Sequence, residues 1–163
     1  RRRSERAPDG LDELLWRSGG EWRDRQQGRA APDQLGKPRL HAPGCHQAGD
    51  TALIQVAAIL KETLRGHDTC GRYGGEEFSM VLPETDGEGA VIVADRCRRE
   101  IEESRFEANG ESLGVTMSLG VATFYPDKES GVSDLAGLIK LADEALYVAK
   151  DGGRNRVVLD KDS

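Results

Sequence analysis

Arg72-Tyr73-Gly74-Gly75-Glu76-Glu77-Phe78-Ser79-Met80-Val81-Leu82 sets two adjacent carboxylates on a two-glycine turn, immediately ahead of an apolar run. Adjacent acids repel one another, and glycine loses more conformational freedom on folding than any other residue. The arrangement is therefore a poor choice for stability alone. It makes sense where the carboxylates hold a cation and the glycines let a phosphate or nucleobase approach the backbone. A hairpin with solvated acids at its tip accounts for the same residues, so the surrounding chain has to separate the two readings.

Working outward, Thr69 to Tyr73 reads as a strand leading into the turn and Phe78 to Leu82 as the strand leading out, a β-hairpin with the acids just past its tip. Upstream, Thr51 to Leu64 places Leu53, Val56, Ala57, Leu60 and Leu64 on one helical face, with Asp50 where an N-cap belongs. Downstream, Thr85-x-x-Glu88 has the form of a capping box. The helix it opens carries Ala90, Val93, Ala94, Cys97 and Ile101 at core spacing. Val115 to Thr123 reads as a strand whose stretch Thr116-Met-Ser-Leu-Gly120 has small residues for close packing. Ser133 caps a helix with Leu135, Leu138, Ile139, Ala142 and Leu146 inward. The loop Asp151-Gly-Gly-Arg-Asn155 and a last strand, Arg156 to Leu159, follow. Helices alternating with strands, plus one hairpin, predict an α/β fold with a mixed central sheet covered by helices.

The chain has 163 residues and a formal net charge of −6. That length suits one domain, or one domain with an arm, and the charge argues against a nucleic-acid binder, which shows a basic face. Cys45, Cys70 and Cys97 are odd in number and share no metal-ligand spacing, which fits reduced thiols in a cytoplasmic protein. No apolar run approaches the roughly 18 residues of a membrane span. A cytoplasmic domain is expected, either alone or as part of a larger sensor protein.

Residues 1 to about 45 break this order. They hold nine arginines, scattered prolines and glycines, and only Leu11, Leu14, Leu15 and Trp16 offer a short amphipathic helix. We divide the chain into an atypical segment, 1–44, which includes an altered start of the domain, and an orderly domain, 45–163.

The orderly part resembles the GGDEF domain of bacterial diguanylate cyclases, in its Glu-Glu variant. The resemblance runs from about Gly44 to Leu159. It rests on His46-Gln-Ala-Gly-Asp50, Arg65-Gly-His-Asp68 five residues before the turn, Arg72-Tyr-Gly-Gly-Glu-Glu-Phe78, Leu82-Pro83, Thr116-Met-Ser-Leu-Gly120, Asp143-Glu-Ala-Leu-Tyr-Val-Ala-Lys150 and Gly153-Arg-Asn155. It implies a palm-like α+β fold akin to the nucleotide cyclases. It also implies condensation of two GTP into cyclic di-GMP by two domains facing each other as a homodimer.

The resemblance also implies roles for single residues. Glu76 and Glu77 would bind Mg2+ (or Mn2+), with Glu76 helping to deprotonate the attacking hydroxyl, and Gly74 and Gly75 would leave room for the nucleotide. Asp50 would accept hydrogen bonds from the guanine edge, besides its reading as a cap. Lys150 and Arg154 would neutralise the β- and γ-phosphates, although cations at a helix C-terminus are also favourable to its dipole. Arg65 and Asp68, with Arg96 from the next helix, would form an inhibitory product site for cyclic di-GMP.

The family's first central strand carries an aspartate-rich metal motif, and here the pattern departs. Counting back without gaps from Asp50, Asp33 falls at the metal aspartate, His41 at the guanine-binding asparagine and Pro38 near a phosphate-contact lysine. The residues before Asp33, Gly-Arg-Ala-Ala-Pro, make a poor buried strand. A shifted reading frame between two near-normal stretches accounts for the departure, as does genuine divergence. A catalytically impaired domain that binds cyclic di-GMP or GTP is the alternative reading.

Overall fold

The computed structural model describes residues 14–24, 45–108, 111–125 and 134–161. In chain order they form β1 (Leu14–Asp24), α1 (Cys45–Thr63), β2 (Thr69–Gly74), β3 (Glu77–Val81), α2 (Gly87–Glu103), β4 (Phe106–Ala108), β5 (Glu111–Thr123), α3 (Leu135–Asp151) and β6 (Val157–Leu159). The sheet runs β2-β3-β1-β5-β4, with β6 also on β5. β5 and β6 are parallel and the other ladders antiparallel. This is the expected mixed sheet, α+β and palm-like.

Alternation along the strands separates two cores. Phe78 and Met80 of β3 and Val115, Met117, Leu119 and Val121 of β5 join Ala52, Val56 and Leu60 of α1 and Ala90, Val93, Ala94, Cys97 and Ile101 of α2. The opposite face of the sheet, through Ala122, meets Leu138 and Ala142 of α3, with Val81, Phe124, Ile139 and Leu141 alongside. Helices α1 and α2 thus cover one face and α3 the other. The stripe expected on α2 is buried at all five positions. On α3 the stripe holds at Leu138, Ala142 and Leu146, but Leu135, expected inward, is exposed in the first turn.

Close packing governs one position above all. A Cβ on Gly120 would lie 2.2 Å from the Ala142 carbonyl oxygen and 2.3 Å from the Leu146 nitrogen. Only glycine lets α3 cross β5 this closely.

Three sequence expectations are corrected at helix starts. The cap of α2 is Asp86, whose Oδ1 accepts from the Gly89 N–H at 2.7 Å, while the Thr85 hydroxyl donates to the Pro83 carbonyl at 3.1 Å. The cap of α3 is Asp134, whose Oδ1 accepts from the Gly137 N–H at 2.8 Å. In both, an aspartate next to the expected hydroxyl residue takes the role, because its carboxylate accepts an N–H with charge assistance. Asp50 is no cap: α1 begins at Cys45, so Asp50 lies within the helix with its side chain in solvent.

The largest correction concerns the central strand. The sheet's middle position is filled by β1, and Leu14–Asp24 is a strand rather than the expected amphipathic helix. A short apolar run such as Leu14-Leu15-Trp16 is ambiguous between the two states. Pairing on both edges decides it, with Gly19 opposite Glu77 of β3 and Ser118 of β5. Asp33, which the count back from Asp50 set at the metal aspartate of the family's first central strand, lies outside the described residues, as do His41 and Pro38.

Candidate nucleotide site

The hairpin turns at Gly75 and Glu76. Gly75 has φ +54°, a left-handed conformation that glycine adopts without steric cost. The Arg72 Nε donates to the Gly75 carbonyl at 2.8 Å and fastens the turn. A Cβ on Gly74 or on Gly75 would meet no heavy atom within 4 Å. The backbone of the tip is therefore approachable, as the two glycines led us to expect. Glu76 is exposed, and Glu77, the first residue of β3, is half-buried.

Beside the hairpin, between α1 and β2, opens a cleft of about 990 Å3 whose lining includes Asp50, Lys61, Arg65, Asp68, Arg72 and Phe78. Asp50 thus faces the same space as the root of the hairpin. Cys70 also lines it, and burial pushes its thiol up to about 11.

Arg65 and Asp68 come together in the turn after α1. The Arg65 N–H donates to Asp68 Oδ2 at 2.8 Å, and the Asp68 N–H donates to the Arg65 carbonyl at 3.1 Å. The Asp68 side chain is 2 % exposed, with His67 Nε2 3.7 Å from Oδ1. Arg96 reaches the same corner from α2, where its Nη2 donates to the Thr63 carbonyl at 2.8 Å. Arg65 and Asp68 are thus brought together through the backbone N–H and line one cleft, while Arg96 is held at the C-terminus of α1 and does not line it.

Lys150 lies in the last turn of α3. Arg154 follows on a loop whose Gly153, Arg154 and Asn155 have φ values of 110°, 63° and 46°. Sequence reasoning missed Asn155 as a structural residue. Its N–H donates to the Ser118 hydroxyl at 3.1 Å and its Nδ2 donates to Glu102 Oε1 at 2.7 Å. Its Oδ1 accepts from Arg98 Nη1 at 3.0 Å. The available signal was Asn after Gly-Gly-Arg, since asparagine tolerates the left-handed region better than most residues.

Ser118 and Glu77 share a row of the sheet through Gly19, and Asn155 of the loop after α3 is bonded to Ser118, so that loop and the acidic turn meet the sheet at the same level. Two hard carboxylates suit magnesium, which binds through one or two carboxylates together with phosphate oxygens and water. Among the described residues, no group of three or more His, Cys, Asp or Glu side chains converges. In β1 the position beside Glu77 is Gly19, and the strand's acids are Glu21 and Asp24.

A mixed palm-like sheet that carries an acid-bearing Gly-Gly hairpin, with α1 and α2 on one face and α3 on the other, is the architecture of one class of domain. Residues 44–156 match the family model described as diguanylate cyclase, GGDEF domain, and the chain belongs to that family. It is 43 % identical over 118 residues to diguanylate cyclase A of Treponema denticola, covering 72 % of this chain and 31 % of that protein. It is 40 % identical over 119 residues to the diguanylate cyclase DosC of Escherichia coli, covering 72 % of this chain and 25 % of that protein. The chain thus spans about a third or less of the length of these relatives. Among solved structures, the active GGEEF domain of a diguanylate cyclase from Vibrio cholerae superposes with a TM-score of 0.67 at 30 % identity, over 93 % of this chain and 85 % of that one. The GGDEF domain of DgcB from Caulobacter crescentus, in complex with c-di-GMP, superposes with a TM-score of 0.70 at 26 % identity, over 93 % and 79 %. The family match begins at residue 44 and so leaves β1 outside it.

Proposed function

We propose that this chain is a diguanylate cyclase domain that condenses two GTP into cyclic di-GMP and releases two pyrophosphates. The observation that supports the reading is that the acidic turn and the loop bearing Arg154 meet the sheet at one level, linked through the row Glu77, Gly19, Ser118 and the Ser118 contact to Asn155. In each half-reaction a 3′-hydroxyl attacks the α-phosphate of the other nucleotide. The oxygen–phosphorus bond to the β-phosphate breaks, and the hydroxyl proton passes to base.

The protein's part in phosphoryl transfer is positioning and charge neutralisation. Glu76 helps to deprotonate the attacking hydroxyl, and Glu76 and Glu77 would hold magnesium, or manganese. When bound, the metal supplies Lewis-acid stabilisation of the entering and leaving oxygens. Gly74 and Gly75 keep the backbone open to the nucleotide. Asp50 accepts from the N1 and N2 donors of guanine, which adenine does not present. Lys150 and Arg154 neutralise the β- and γ-phosphates. One domain holds one GTP, so a homodimer with facing hairpins is the working unit. Arg65, Asp68 and Arg96 take cyclic di-GMP as an inhibitor, the guanidinium groups forking to guanine. No nucleic acid is involved and the setting is cytoplasmic. Residues 1–44 are an altered start of the domain whose body is 45–163, and Asp33 remains our candidate for a further metal carboxylate.

A second reading, a domain that binds GTP or cyclic di-GMP without turnover, is favoured by Gly19, which puts no carboxylate beside Glu77 in the central strand. Incubation with GTP and magnesium, followed by chromatography of the nucleotides, separates the two. Cyclic di-GMP from the parent and none from Glu76→Ala supports the cyclase. A folded parent that binds cyclic di-GMP and makes none supports the receptor.

A further inference from the structure

Three successive residues with left-handed backbone, two of them not glycine, form a segment that must be held in place. At one side, α3 holds it: the Arg154 N–H donates to the Ala149 carbonyl at 3.0 Å and the Gly153 N–H to the Lys150 carbonyl at 3.4 Å. At the other side the hold is Asn155, and its partners lie far away in sequence. Arg98 and Glu102 belong to α2 and Ser118 to β5. The α2 partners are themselves fixed. Arg98 Nε donates to Asp95 Oδ1 at 2.8 Å and Nη1 to Glu102 Oε2 at 2.6 Å. The Asn155 amide is satisfied in one orientation only, its oxygen toward the guanidinium and its nitrogen toward the carboxylate.

We propose that Asn155 is a positioning residue, a strut from α2 that holds the left-handed loop so that Arg154 meets the terminal phosphates of the nucleotide. The inference rests on the GTP reading above. The chemistry is particular to the amide. Aspartate would keep the acceptor for Arg98 but set a second negative charge against Glu102. Alanine would keep neither contact and would strain the backbone. Glycine accepts the φ value and removes the strut alone, which makes it the informative substitution.

Binding of 3′-deoxy-GTP, which lacks the attacking hydroxyl, is compared with binding of GMP by calorimetry in magnesium buffer, for the parent, Asn155→Gly and Arg98→Gln. GMP shares the guanine but ends at the α-phosphate. We expect Asn155→Gly to weaken the triphosphate about tenfold, the effect of losing one charge-assisted contact, and to leave GMP within about twofold. Arg98→Gln, which removes a strut anchor without touching the loop, shows a smaller loss in the same direction, and carries the comparison should Asn155→Gly fail to fold. Equal losses for both ligands, or none for either, overturn the positioning role while the GTP reading stands. A parent that binds no 3′-deoxy-GTP overturns both, and the unsubstituted chain reports that by itself.

Discussion

Glu77 and Ser118 are cross-strand neighbours at one remove, both directly opposite Gly19 of the intervening strand. With strands about 4.8 Å apart, their Cα atoms stand about 10 Å from each other. The Ser118 hydroxyl accepts the Asn155 N–H, so one row of backbone sets the spacing between the acidic turn and the cationic loop. For Glu76, exposed at the tip of that turn, Glu76→Ala should lower turnover of GTP by at least about a hundredfold. Its unfolding free energy from chemical denaturation should stay within about 0.5 kcal/mol of the parent, as for surface substitutions generally.

Gly75 tests whether the turn's backbone matters apart from its acids. Its φ of +54° disfavours any residue with a Cβ, although the space around it is open. Gly75→Ala should therefore cost about 1–2 kcal/mol of stability, with Gly75→Asn milder. Urea denaturation of the two variants gives the order; equal costs would contradict backbone strain as the cause.

Gly120 offers a harder constraint. The Cβ of Gly120→Ala would fall 2.2 Å from the Ala142 carbonyl oxygen, so α3 must move. A loss of about 3 kcal/mol, at the upper end of ordinary overpacking, is the expected result in equilibrium unfolding. An unchanged midpoint would mean that α3 does not cross β5 at this distance.

The helix caps show how far local sequence carries. The five core positions of α2 were legible because a 3.6-residue period needs no partner to be recognised. The caps were displaced by one residue, since Thr85 and Asp86 are both good cap residues and only hydrogen-bond geometry chooses between them. Asp86→Ala should cost about 1 kcal/mol and Thr85→Ala less, by thermal unfolding. β1 was not legible at all. Arg17-Ser18-Gly19-Gly20 has neither alternation nor β propensity, and its strand state is imposed by neighbours on both sides. Of the candidate site, the hairpin and the Arg65–Asp68 turn could be read because their residues are near in sequence. The Asn155 strut could not, as its partners lie 37 to 57 residues away.

The strut also predicts a response to acid. The Arg98 guanidinium holds the Asp95 carboxyl below its usual range, and hydrogen bonds from Arg98 and then Asn155 do the same for Glu102. Folded-state values lowered in this way contribute stability that is full above the unfolded values, 3.8 and 4.5. That stability is lost as pH falls through the lower folded values. Arg98→Gln should flatten the fall in stability below about pH 4.5, relative to the parent, in acid titrations followed by circular dichroism.

Burial pushes the Cys97 thiol up to about 12 and Cys70 to about 11. At neutral pH both are protonated and poor nucleophiles. Alkylation by iodoacetamide, resolved by peptide mass spectrometry, should be slow at Cys70 and slower at Cys97 in the folded chain, and fast at both in urea.

The middle place of β1 in the sheet has a consequence for where this domain can be cut. Among the described residues, the order β2-β3-β1-β5-β4 leaves the hairpin strands hydrogen-bonded to β5 only by way of Leu14–Asp24. A chain cut to begin where the family match begins, at residue 44, therefore lacks the strand that closes its own sheet, and expressed alone it would present two facing unpaired edges. Such a gap is a receptor for an extended peptide. The missing eleven residues, supplied in trans, would be its native occupant, and a fragment and its complement would reconstitute what neither holds by itself.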